Sequence, residues 1–202
     1  MLVQSENYGR DEFLAIFDLP INAWTQRVFR GEVALGFGQS RPVFQNQYGE
    51  IDAFAVMLTI WIVLTVKIDW KNAASLVRDH WRELLDGLAK VERMKARDAF
   101  NNGICLVIAI SPDKTIKAKV GPCEKTFNEL CDDTTLPMPI PLDFILKRLK
   151  KAAREARVNL PKPLTPEPGS EAYRKWIAEI ENYRRFAATR RTGRAKKAKV
   201  TA

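Results

Sequence analysis

The apolar positions of the first thirty residues recur at helical spacing. In residues 10–18 (RDEFLAIFD), Phe13, Leu14, Ile16 and Phe17 predict a short helix, with Asp11 as its N-cap. Leu19-Pro20-Ile21 ends it, because proline lacks the amide the ladder needs. Asn22 is placed to cap a second helix over residues 23–30, closed by Gly31. Trp24, Val28 and Phe29 make its core-facing side. Two helices of this length across a tight turn form a helix-turn-helix unit. Residues 33–44 (VALGFGQSRPVF) place two β-prone pieces around Gly36, Gly38 and Pro42, which predicts a small hairpin, or wing. Residues 53–66 (AFAVMLTIWIVLTV) carry no charge and lie between Asp52 and Lys67. A bilayer takes about 20 apolar residues, so this run predicts a buried core helix opening at Glu50 or Asp52.

The middle of the chain predicts one long helix from Lys71 to about Arg97. Val77, Trp81, Leu84, Leu88 and Val91 step by four and three, and Met94 continues the row where Lys95 interrupts it. This heptad pattern fits either a helix lying on its own domain or the seam of a dimeric coiled coil. Residues 104–120 predict a β-hairpin: the β-rich ICLVIAI, a turn at Ser111-Pro112-Asp113-Lys114, then an alternating strand. A short helix is expected around residues 124–130. Alternate prolines hold residues 136–141 extended. Residues 142–157 predict a strongly basic amphipathic helix with Phe144, Ile145, Leu149 and Ala152 on one face. Residues 160–170 (LPKPLTPEPGS) read as a semi-rigid linker. Residues 171–191 predict a last helix with Tyr173, Trp176, Ile177, Ile180 and Tyr183 on one side. Residues 191–202 hold five Lys/Arg and almost nothing apolar, so they are expected to be disordered in isolation.

These elements define a mainly α, α+β chain. Its expected units are a winged helix-turn-helix (1–70), a long dimerisation helix (71–100), a β-hairpin with a basic helix (101–159), a Pro-rich linker (160–170) and a basic helix with tail (171–202).

Charge sharpens the picture. Residues 1–144 carry 16 Lys/Arg against 19 Asp/Glu, whereas residues 145–202 carry 17 against 5. The whole excess behind the net charge of +9 sits at the C-terminal end. Such segments meet polyanions, nucleic acid above all. Three cysteines, Cys105, Cys123 and Cys131, without framework spacing predict a reducing compartment and inert thiols. The polar start predicts no secretory signal, and a cytoplasmic, nucleoid-associated location is expected.

Residues 10–80 resemble the N-terminal DNA-binding domain of the MerR family of regulators. The stretches that carry the resemblance are RDEFLAIFDLP, INAWTQRVFRGEVAL, the wing RPVF, YGEIDAFAVML and KIDWKNAASLV. Where that family's wing carries several arginines, only Arg41 stands here. The resemblance implies a helix-turn-helix regulator of bacterial type. Independently, Asn22, Thr25, Gln26 and Arg27 supply the polar and bidentate groups that read base edges from a helix in the major groove, and Arg30 is placed for a phosphate. Gln39, Ser40 and Arg41 would act from the wing. Arg190, Arg191, Arg194, Lys196 and Lys197 would add sequence-independent phosphate contacts. Against this stands the balance of residues 1–50, four Arg and six Asp/Glu. Val77, Trp81, Leu84, Leu88 and Val91 would pair two copies on double-stranded DNA.

Enzyme signatures are absent: the lone His80 lies mid-helix, and no Ser/His/Asp set, Walker loop or GxGxxG occurs. No cofactor or metal is expected; Cys123 and Cys131 lack zinc spacing, and Asp132-Asp133 has no second ligand set. The competing expectations are a nonspecific DNA or RNA binder acting through residues 145–202, and a protein-interaction scaffold.

Overall fold

The computed structural model describes residues 8–35, 47–94, 103–130, 134–182 and 184. Among these residues the fold is mixed α and β, with eight helices and a small three-stranded antiparallel sheet. Residues 36–44 of the expected wing, with Gln39, Ser40 and Arg41, lie outside the described residues. So do Cys131, the Asp132-Asp133 pair, Tyr183 and the tail residues Arg190, Arg191, Arg194, Lys196 and Lys197.

The first half opens with a two-residue strand β1 (Tyr8–Gly9), paired antiparallel with β2 (Gln47–Tyr48). Helices α1 (Arg10–Phe17) and α2 (Ile21–Arg30) lie between these strands in the chain. Helix α3 (Glu50–Val66) follows. Its charge-free run is a core helix, as expected: Ala53, Phe54, Ala55, Val56, Leu58 and Ile62 are all buried. Asp52 accepts the Gly49 amide at 2.9 Å and fixes its start, and Lys67 in the left-handed region (φ 61°) ends it. Among the described residues no helix is long and apolar enough to cross a membrane.

The long helix expected over residues 71–97 is instead two helices, α4 (Trp70–Asp79) and α5 (Trp81–Val91), broken at His80 (φ −104°, ψ 20°). Asp69 caps α4, accepting the Asn72 amide at 2.9 Å. That bond holds the Asp69 carboxyl below the usual carboxylate range. Both helices turn their apolar row inward.

In the second half, β3 (Ile104–Ile110) is the central strand, with β4 (Ile116–Pro122) on one side and β5 (Leu136–Pro141) on the other. Side chains alternate across a strand. Ile104, Leu106 and Ile108 therefore join the main core, which includes α5 and α7 (Leu142–Glu155). Cys105 belongs to the other face and bonds to Cys123 at the start of α6 (Cys123–Leu130). This corrects the inert-thiol expectation. The 18-residue separation gave no motif to recognise, but the hairpin register sets Cys105 opposite Gly121, two residues before Cys123. α5 meets the sheet through Gly87, where an added Cβ would lie 2.8 Å from Leu142 Cδ1 and 2.9 Å from Ile104 Cγ2.

The Pro-rich stretch is no free linker. Leu160, Leu164 and Thr165 are buried, and the strap is bolted to the Glu92 carboxylate, whose side chain is 1% exposed. Glu92 accepts the Leu164 amide (2.8 Å), the Thr165 amide (2.9 Å) and the Thr165 hydroxyl (2.8 Å), with Lys150 Nζ at 3.7 Å. Arg93 donates to the Thr165 carbonyl at 2.8 Å. The strap delivers α8 (171–182), whose Tyr173, Trp176, Ile177 and Ile180 pack into the same core.

Candidate nucleic-acid interface

Helix α2 is anchored through Trp24. Trp24 is 1% exposed, packs on Phe13 (centroids 5.4 Å apart) and donates its indole N–H to Tyr48 Oη at 3.1 Å. Phe13 stacks on Tyr48 at 4.3 Å. The first helix, the second helix and the strand before α3 are thus locked at a single aromatic cluster. Asp18, in the left-handed region (φ 50°), reverses the chain after α1, and Pro20, rather than Asn22, occupies the N-cap of α2. At the far end Arg78 of α4 donates to the carbonyls of Gly31 (3.1 Å) and Val33 (3.3 Å).

With Trp24 inward, the opposite side of α2 faces solvent. It presents Asn22, Thr25, Gln26, Phe29 and Arg30, with Ile21 at its edge. Thr25 Oγ1 donates back to the Ile21 carbonyl at 2.9 Å, as a helical threonine commonly does. The Arg30 side chain is 63% exposed and lies 3.8 Å from Glu32. The helix contains no acidic residue.

Two expectations about this helix are corrected. Arg27 does not belong to the open face: its side chain is only 29% exposed, pairs with Glu32 at 3.2 Å and lies 3.9 Å over the Trp70 ring. A guanidinium so held braces α2 against α4. Phe29, expected in the core, is 91% exposed. The signal was present in the spacing, since Phe29 lies five residues after Trp24 and so about 140° away from it around the helix.

The proposed dimer seam is also relocated. Val77, Leu84, Leu88 and Val91 are buried within the chain's own core. Trp81 is half-buried beneath Arg184, whose guanidinium carbon lies 4.8 Å from the ring centroid. Arg184 also donates to the Arg78 carbonyl at 2.9 Å, and burial pulls its pKa down. α8 packs on its own chain as well. Tyr173 donates its hydroxyl to Asp86, and burial, helped by that bond, pushes the phenol above its usual range. Tyr173 and Trp176 are therefore covered by their own chain.

Of the basic C-terminal part, α7 carries an exposed row: Lys147, Arg148, Lys151 and Arg154. Lys147 pairs with Asp143 at 3.0 Å and Lys151 with Glu155 at 3.7 Å. Arg148 lies 5.4 Å from the Trp61 ring centroid. Among the described residues no group of three or more His, Cys, Asp or Glu is arranged to hold a metal ion. No protein-family model matches the chain, and no curated protein matches it in sequence.

Proposed function

We propose that the chain is a sequence-specific DNA-binding regulator that inserts α2 into the major groove of a duplex. One observation carries the reading: a ten-residue helix, fixed from behind by Trp24, leaves a continuous acid-free face of Asn22, Thr25, Gln26 and Arg30 open to solvent. Side-chain amides pair bidentately with adenine, and a flanking arginine reaches guanine or a phosphate. A helix-turn-helix presents its second helix in this manner. Because the row from Val77 to Val91 is internal, a footprint on an inverted repeat would require two copies paired through another surface.

The basic row of α7 supports a second reading, sequence-independent binding of polyanions. Both are tested by selecting random duplex DNA with the full chain and with Asn22→Ala/Gln26→Ala. Truncation at residue 160 is unsuitable, since it would remove the buried Leu164, Trp176, Ile177 and Ile180. An enriched motif lost in the double variant supports recognition by α2. Salt-sensitive binding without a motif, unchanged in the variant, supports the second reading.

A further inference from the structure

We propose that Phe29 is the apolar reader of the α2 face and packs against the 5-methyl group of a thymine; this rests on the DNA-binding reading above. Among the described residues it is the most exposed large hydrophobic side chain, at 91%. An α-helix advances about 1.5 Å and about 100° per residue. Phe29, seven residues after Asn22, therefore lies about 10 Å further along the helix and within about 20° of the same direction. Gln26 falls between them. The outward stripe runs amide, amide, aromatic ring, with Trp24 pointing the opposite way into the core.

The major groove offers a matching pattern. Its base edges present hydrogen-bond donors and acceptors and one apolar feature, the thymine methyl, which apolar side chains including phenylalanine contact. Adenine, the partner of a side-chain amide, always has thymine across the pair. Phe29 lies about 4.5 Å beyond Gln26, little more than one base step of about 3.4 Å, and about three steps beyond Asn22, so it is the thymine paired with an adenine read by Gln26 that falls nearest the ring. No carboxylate on α2 opposes this approach, and Arg30 follows Phe29 directly at the helix end. An isolated ring set between two amides and a guanidinium fits a mixed polar edge better than it fits a broad apolar partner.

The test replaces single thymines of the selected site by uracil, which deletes only the methyl group, and compares the full chain with Phe29→Ala and Phe29→Leu. Removing one methyl from an apolar contact is expected to weaken wild-type binding about 4-fold at one position. Phe29→Ala should show no loss at that position, and Phe29→Leu should keep part of it. The proposal is overturned if uracil has no effect on the wild type at any position, if Phe29→Ala retains the uracil penalty, or if sedimentation without DNA shows self-association that Phe29→Ala abolishes. A folded chain that enriches no motif overturns the underlying reading and this assignment with it, whereas a motif without methyl dependence overturns this assignment alone.

Discussion

Helix α2 and the α4–α5 pair look alike as sequence and behave in opposite ways. Each carries several apolar residues along its helix. In α4–α5 the row Val77, Leu84, Leu88 and Val91 disappears into the chain's own core, although its heptad steps fit an intermolecular seam equally well. In α2 the apolar residues lie on different sides: Trp24 goes in and Phe29 stays out. Periodicity announces that a helix has an apolar face, but the rest of the chain decides what covers it. α4 rests on the earlier α3, and α5 is overlaid by the β3 sheet, α7, the strap and α8, which come later in the chain. Among the described residues α2 has α1, α4 and the Tyr48 strand behind it.

The sharpest way to break this contrast is to empty the inward positions. Trp24→Ala removes the side chain on which α1, α2 and β2 converge, and should cost about 3–5 kcal/mol in urea unfolding. Leu88→Ala should cost about 2–5 kcal/mol. Neither loss should vary with protein concentration. A Leu88→Ala midpoint that shifts with concentration would return α4–α5 to the role of a seam between two copies.

Glu92→Ala probes the cover itself. It leaves the Leu164 and Thr165 amides and the Thr165 hydroxyl without their acceptor and Lys150 without its counter-charge. Unpaired buried donors of this kind are worth about 2–4 kcal/mol together. Limited proteolysis should then cut within residues 160–170, which should stay protected in the wild type. Unchanged protection would mean that the apolar anchors Leu160 and Leu164 hold the strap alone.

Much of the fold was legible. α1, α3, the 104–122 hairpin, the extended 136–141 segment and α7 lie within a few residues of where pattern and turn chemistry place them. What stayed hidden depends on distant partners. The break at His80 has neither proline nor glycine to mark it, and the helical spacing runs straight through. The strap resembles a linker because prolines favour extended chain whether it is free or docked, and Glu92 lies some 70 residues away from the amides it binds. The composition of α2 announced a polar face, but Arg27 was assigned to it because only the structure brings Trp70 and Glu32 alongside.

A smaller effect is expected at Tyr173. Its phenol is held neutral by burial and by Asp86, so its folded pKa lies above the ordinary value of 10.0. The stabilisation is complete below that value and is lost as pH rises from it toward the folded pKa, because the unfolded chain ionises first. Tyr173→Phe should cost about 1–2 kcal/mol near neutrality. Urea midpoints measured from pH 8 to pH 11 should fall more steeply for the wild type than for this variant. Parallel slopes would mean that α8 docks without the Asp86 bond.

The smallest expected effect on stability is also the one that separates the two helices most cleanly. Phe29→Ala removes a ring that touches little in the folded chain, so the unfolding free energy should move by less than about 0.5 kcal/mol. The same truncation five residues earlier, at Trp24, should cost several times that. Keeping a phenylalanine in water gives up the stabilisation, about 1.5–3 kcal/mol, that burying it would bring. On the DNA-binding reading, the thymine contact proposed for Phe29 would use an apolar surface that the fold itself leaves uncovered. If Phe29→Ala instead lowers the unfolding free energy by about 2 kcal/mol or more, the ring is covered within the chain, α2 has no open face, and the comparison with α4–α5 collapses into a single case of two buried helices.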